Sequence, residues 1–492
     1  MQAWAAACFL GWHGGVLYPE CLQLFSSTYF VFLFGVFFLY WPLSRFRAVT
    51  LAVILFANYF FYARFDLAYL ALIPAVSTID FCIGLGLQGS KNPAFRRLLV
   101  TLSIVMNVGM LAVFKYMPFF LGNWAHWTGR PPKTWSLSLP ISLSFYVFQA
   151  LTYTIDLYRR DAKGTRSYLA HLAAVSFFPT TVAGPITRVE SLLTQFDKPK
   201  KLDPATGGRA LFLIGLGLIK KLLIADYLSQ NLINRVFDFP NLYTGAEVLI
   251  AVYAFAFQLY YDFSGYTDIA IGSALLLGIK LPENFNAPYA AVNIADFWRR
   301  WHISLSNWLR DYLYFSLPGL RSKWKIFTYL NLVITMVIGG LWHGPSWNFV
   351  LWGALHGFGL AGVRLWQTWF PPPKKGAAKP SALWHYASIL LTFHFVTFAW
   401  IFFRAADFAT ASAILGRIGS GTASFANLNR GLWTVLGIGI AAHYIPKKWY
   451  DFSVSLYVRA PFYAQAAALV GLVIGLQYIG QTGAAPFIYE RF

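Results

Sequence analysis

The chain has 492 residues, 58% hydrophobic and only 12% charged, against about a quarter charged in a soluble globular domain. That balance, with 46 Phe, 28 Tyr, 19 Trp and a mean hydropathy of +0.53, excludes the soluble classes, and the apolar runs are too continuous for an outer-membrane barrel. The net charge of +20 sits in Lys and Arg between hydrophobic runs rather than on one domain, which argues against a nucleic-acid partner and for the cytoplasmic loops of a membrane protein.

No Lys or Arg precedes Arg45, so residues 1–23 lack the charged start of a cleaved signal peptide and read as an extension ahead of a membrane domain at 24–492. Spans, or near-spans, are expected at 26–42, 48–63, 68–87, 98–121, 135–156, 210–229, 246–262, 326–342, 347–363, 384–403, 431–445 and 462–480. Two further apolar stretches, 167–187 and 263–281, are interrupted by Gly and Pro and read as re-entrant, because irregular backbone at membrane depth needs protein or a water-filled cavity to satisfy it. The fold class expected is therefore an all-α polytopic integral membrane protein, with 11–12 transmembrane helices plus re-entrant and interfacial segments. Basic loops at 45–47, 91–97, 159–201, 299–325, 374–375 and 447–448 are expected in the cytoplasm, and weakly charged links near 64–67, 122–134 and 230–245 outside, which puts the N-terminus outside. Cys8, Cys21 and Cys82 have no metal-ligand spacing, and no metal site is expected.

The stretch 284–357 departs from this filler. Taken as one helix, 296–312 gathers Phe297, Trp298, Trp301, Leu305, Trp308, Leu309 and Tyr312 on one arc, with Arg299, Arg300, Arg310 and Asp311 on the other and His302 at the border. That is the pattern of a helix lying in the membrane interface, with Asp296 and Arg300 forming an i,i+4 pair. Blandly, it anchors headgroups and its histidine is incidental. His343 is sharper: 17 uncharged residues precede it, and it begins the break His343-Gly344-Pro345-Ser346 between Trp342 and Trp347. An unperturbed imidazole titrates near neutrality and so suits proton transfer, whereas a lone histidine in a turn would more simply bond a carbonyl. Beyond it, Asn348, Trp352 and His356 follow at i+4 steps and make one helix face polar.

Asp262 and Asp268, beside Gly265 in QLYYDFSGYTDIAIG, and the broken FFPTTVAGPITR at 177–188 could line a cavity or simply end helices. His13, His126, His171, His385, His394 and His443 stand alone and read as structural or solvated.

FWRRWHISLSNWLRDYLY and GGLWHGPSWNFVLWGALHG resemble the two histidine regions of the membrane-bound O-acyltransferases, in the bacterial branch of the alginate O-acetylation protein (AlgI-like). LFSSTYFVFLF, LPISLSFYVFQALTYTIDLYR, FFPTTVAGPITR, QLYYDFSGYTDIAIG and the terminal PFIYERF extend the likeness over nearly everything after residue 23. The resemblance implies a many-helix funnel with a thinned centre, His343 as catalytic histidine and His302 as the second. Arg299, Arg300 and Arg310 are then candidates for binding the donor's phosphates, with Asp262, Asp268, Asn348, Trp342 and Trp347 as further substrate-binding candidates. It implies transfer of an acyl group, expected to be acetyl, from a cytoplasmic thioester such as acetyl-CoA, with no bound cofactor, across the bacterial inner membrane. The acceptor would be an exopolysaccharide such as alginate, reached through a separate extracytoplasmic O-acetyltransferase of the SGNH type. D-alanyl transfer to teichoic acid from a carrier protein, or polysaccharide or lipid transport by a proton relay, are the competing readings. A count along 326–342 puts His302 inside and His343 outside, so the two can cooperate only if that segment falls short of a full span or the membrane is thin there.

Overall fold

The computed structural model describes residues 24–479 except 64–69, 132, 138, 141, 182–183, 199–200, 202, 321 and 372–380. The expected N-terminal extension, the link at 64–67, the Pro/Lys-rich loop from 372 to 380 and the PFIYERF end lie outside those residues.

In chain order the helices are α1 (Ser27–Leu43), α2 (Arg47–Ala63), α3 (Leu72–Gly89), α4 (Pro93–Thr128, with a π turn at Ala112–Tyr116), α5 (Leu143–Arg159), α6 (Tyr168–Val175), α7 (Phe178–Thr181) and α8 (Val189–Phe196). There follow α9 (Pro204–Leu218), a run of π turns to α10 (Asn234–Asp238), α11 (Gly245–Leu276), α12 (Ile294–Arg300), α13 (Ile303–Trp308) and α14 (Ile326–His343). The chain continues with α15 (Trp347–Trp369), α16 (Ala382–Arg404), α17 (Phe408–Gly419), α18 (Arg430–His443), α19 (Lys447–Arg459) and α20 (Phe462–Ile479). Starts are set locally: Ser26, Asn92, Ser167, Asn293, Ser346, Ser381, Asp407 and Asn429 each accept a bond from a first-turn amide of the helix they precede.

Among the described residues six helices are long and apolar enough to cross a membrane (α3, α4, α11, α14, α15 and α16), or seven if α19 and α20, bent by 117°, count as one span. α1 and α2 are shorter apolar helices of the same kind. The molecule is thus a helical membrane protein, as its composition required. One expected break is absent. The stretch 263–281 was read as re-entrant, but α11 runs unbroken for 32 residues through Gly265 and Gly272. Gly272 serves close packing instead: a Cβ there would lie 2.7 Å from the carbonyl oxygen of Ala210. At 135–156 the helix begins only at Leu143, after Pro140 has disfavoured helix in the residue before it.

Two compact units divide the chain. The first comprises residues up to Gly217 with 266–282 and 457–460. Its broken stretch after α6 is satisfied by side chains, as irregular backbone at depth demands. Asn58 donates to the carbonyl of Ala173 (3.2 Å) and accepts from the amide of Phe178 (2.9 Å), and Gln149 donates to the carbonyl of Ala174 (2.7 Å). Buried Arg96 donates to the carbonyls of Leu157 and Tyr158, at 2.8 and 2.9 Å, and so caps the end of α5.

The second unit holds 218–265, 283–456 and 461–492. Its centre is the α14–α15 hairpin. A Cβ at Gly340 would collide with the carbonyl oxygen of Phe349, and one at Gly353 with that of Met336, so the backbones touch as small residues permit in membrane helix pairs.

Candidate active site

The interfacial helix expected over 296–312 is broken at its histidine. α12 ends at Arg300, Trp301 is extended, and His302 adopts a left-handed backbone (φ +41°) before α13 begins. Such a conformation costs a non-glycine residue about 1–3 kcal/mol and persists only where its surroundings hold it. Here they do: the amide of Ile303 donates to the carbonyl of Asn284 and that of Asn286 to the carbonyl of Arg300, both at 2.9 Å. His302 is therefore fully buried rather than on the rim of a surface helix. The helical wheel missed this because the cap of α13 comes from residue 284, outside the window.

Asn284 also decides the state of the imidazole. Its Oδ1 accepts from the Ser304 amide (3.1 Å) and hydroxyl (2.9 Å), and lies 3.1 Å from His302 Nδ1. A peptide N–H can only donate, so the atom facing it is the oxygen, and His302 Nδ1 must carry the proton. Nε2 then carries the lone pair, and it is buried with no hydrogen-bond partner among the described residues. Burial pushes the imidazole down to about 3, so it stays neutral.

The ring of Trp342 borders both histidines of interest, 6.2 Å from His302 and 4.9 Å from His343. The two histidines that the count set apart share this indole because the segment after His302 folds against the end of α14, where a Cβ at Gly339 would lie 3.2 Å from Leu309 Cδ1. His343 closes α14 and is buried among Trp352 and Phe403, each at 5.1 Å, with Phe349 at 6.3 Å. Trp352 in turn stacks on Trp400 (5.5 Å) and packs edge-on to His356 (4.8 Å).

His356, left aside in the sequence as part of a polar stripe, is fully buried in this lattice. Trp298 Nε1 donates to its Nδ1 at 3.3 Å. Indole N–H is only a donor, so His356 accepts at Nδ1 and carries its proton on Nε2, the opposite tautomer to His302. The His356 Nε2 and the Nε1 atoms of Trp352 and Trp400 are buried with no hydrogen-bond partner among the described residues. Buried groups of that kind mark where polar atoms of a water or substrate are accommodated.

The remaining sequence candidates separate. Arg299 and Arg310 point outward, with side chains 69% and 55% exposed, and bond Asp296 and Asp311. Arg300 pairs with Asp296 at 3.0 Å, the i,i+4 pair expected. Asn348 is buried, and its amide nitrogen donates to the carbonyl of Ala405 (2.9 Å), tying α15 to the end of α16. Trp347 is half exposed. Asp262 neither ends a helix nor opens a loop: it lies within α11, 2.7 Å from buried Lys221, which also holds Asp226 at 2.9 Å. Asp268, further along α11, belongs to the first unit. Lys221 escaped notice although, with Lys220, it lies inside the expected span 210–229, because neither carboxylate that pairs with it is marked as its partner by spacing. Among the described residues no group of three His, Cys, Asp or Glu could hold a metal ion.

Comparison with known proteins bears on this arrangement directly. The family model "MBOAT, membrane-bound O-acyltransferase family" matches residues 98–402, which contain Asn284 and all three histidines of the lattice. A protein of Azotobacter vinelandii named "Probable alginate O-acetylase AlgI" is 37% identical over 456 residues, covering 90% of this chain and 86% of that protein. The peptidoglycan O-acetyltransferase of Helicobacter pylori is 35% identical over 401 residues, 76% of this chain and 75% of its own length. The teichoic acid D-alanyltransferase of Bacillus subtilis is 28% identical over 323 residues, 62% and 78% respectively. A buried histidine pair around one indole, on a helical membrane scaffold, thus sits inside the matched region, and the chain belongs to the membrane-bound O-acyltransferase family.

Proposed function

We propose that the protein moves an acetyl group from a cytoplasmic thioester, such as acetyl-CoA, to the outside of the bacterial inner membrane for O-acetylation of a polysaccharide such as alginate. The observation that carries this reading is the junction of His302, Trp342 and His343. Two imidazole rings share one buried indole there, which supports a point where a donor and an acceptor arriving from different faces meet. Acetyl is favoured over D-alanyl because similarity is higher, and longer in this chain, to the O-acetylases.

In the proposed reaction His343 takes the proton of the attacking hydroxyl as its oxygen bonds the thioester carbon. The thiolate then leaves and the proton passes to it, giving ester and thiol. The orphaned indole and imidazole N–H groups of Trp352, Trp400 and His356 are donors for the oxygen on which charge develops. His302, with Arg299, Arg300 and Arg310, orients the donor; guanidinium suits its phosphates. A separate extracytoplasmic O-acetyltransferase finishes the transfer to polymer.

The test is transfer of labelled acetyl from acetyl-CoA in membranes holding the wild-type protein or His343→Ala. Label should appear in hydroxyl esters only with the wild type. Equal labelling by correctly inserted His343→Ala would overturn the assignment.

A further inference from the structure

The first unit contains a cleft of about 390 Å³ between the α1–α2 turn and the end of α8. That volume lies in the range of small-ligand sites, about 300–1,000 Å³. Its polar rim is Arg45, Arg47, Lys198 and Asp197, and its apolar wall includes Tyr40 and Ile54. Three cations face one carboxylate. Asp197 is already engaged by Arg47, so the positive excess lies with Arg45 and Lys198. The first turn of α2, which starts at Arg47, carries no acidic residue, and its free amides add to the positive potential.

The surroundings are apolar as well as cationic. Phe46 and Val49, neighbours of the rim residues, are 51% and 43% exposed, and the Arg45 guanidinium lies 4.8 Å over the Phe46 ring. Phe38, on α1, is also exposed. A soluble anion would use the cations and leave these side chains idle. An amphiphile uses both.

We infer that this cleft binds an anionic phospholipid, with the headgroup phosphate between Arg45, Arg47 and Lys198 and the acyl chains along the exposed apolar side of α1 and α2. This lipid binding does not depend on the proposed acyl transfer. Each basic residue near an anionic lipid surface contributes about 1 kcal/mol, so losing two should weaken binding about thirtyfold.

The experiment uses the full-length protein in neutral detergent, titrated with phosphatidylglycerol, phosphatidylethanolamine or inorganic phosphate, with bound lipid read by native mass spectrometry. Saturable phosphatidylglycerol binding is expected, stronger than that of phosphatidylethanolamine, unchanged or tighter in Asp197→Asn, and about thirtyfold weaker in Arg45→Gln/Lys198→Gln. These side chains are exposed, so the variants should fold. Equal binding by wild type and the double variant would overturn the inference. So would displacement of the lipid by inorganic phosphate at matching concentration, which would assign the cleft to a soluble anion.

Discussion

Asn284 Oδ1 accepts from His302 Nδ1 at 3.1 Å and, at the same distance, from the Ser304 amide in the first turn of α13. One side chain therefore sets both the backbone break and the tautomer, and leaves the lone pair on Nε2. Asn284→Leu removes the acceptor for three donors, and each buried unsatisfied group costs about 1–3 kcal/mol. A lower unfolding temperature and a loss of more than tenfold in turnover are expected. Asn284→Asp keeps the acceptor but sets a carboxylate on the ring, which raises the imidazole's basicity. It should retain the fold and displace the pH–rate profile upward. An unshifted profile in a folded, active Asn284→Asp enzyme would show that protonation of His302 does not govern the rate.

Burial of His302 also makes a stability statement. Its folded value of about 3 lies below the usual 6.5 or so of histidine, so across that window the unfolded chain binds the extra proton. Stability from this group is complete above pH 6.5 or so and is lost as the pH falls towards 3. Thermal unfolding from pH 7 to pH 4 should show a shallower decline in His302→Gln than in the wild type.

The two histidines should separate kinetically. A general base contributes about two to four orders of magnitude, so His343→Ala should lose that much turnover while inserting normally. His302→Ala, if the ring orients the donor, should weaken donor binding as well. Donor affinity and turnover both matching the wild type in His302→Ala would remove His302 from the mechanism.

Much of this was legible in the chain, and for identifiable reasons. Long apolar runs locate membrane helices because a bilayer leaves few alternatives, and His343 stood out as an ionisable group between two of them. What escaped notice depended on distant partners. His302 looked like a rim residue because the period of one helix was carried through a break that Asn284, 18 residues earlier, imposes. His356 passed as part of a stripe, since nothing local says that Trp298 will donate to it. Gly265 and Gly272 suggested a broken segment because glycine marks both breaks and tight helix contacts, and only the neighbour, Ala210, tells them apart.

The α14–α15 contact that positions His343 gives a sharp steric prediction. At Gly353 a side chain would collide with the backbone oxygen of Met336, whereas Gly362 on the same helix has open space around it. Gly353→Val should therefore prise the hairpin apart, at a cost of about 1–3 kcal/mol or more, with loss of activity. Gly362→Ala should be neutral or stabilising by up to about 1 kcal/mol through helix propensity. Unfolding temperatures of the two variants in one detergent would check the contrast, and equal effects would contradict the packing.

Lys221 offers the other discriminating measurement. It is buried with Asp262 at 2.7 Å and Asp226 at 2.9 Å, within a π turn that presents it to α11. Removing one member of a buried ion cluster leaves charge uncompensated and costs about 3–5 kcal/mol, whereas replacing all members by neutral groups is far cheaper. Lys221→Met alone leaves two carboxylates facing each other in a low-dielectric site. It should lower the unfolding temperature sharply, and the triple variant Lys221→Met, Asp226→Asn, Asp262→Asn should recover most of the loss. If the triple variant regains its stability but not acetyl transfer, the cluster serves the reaction. If both return together, it is a structural clamp, and Asp262 leaves the set of substrate-binding candidates.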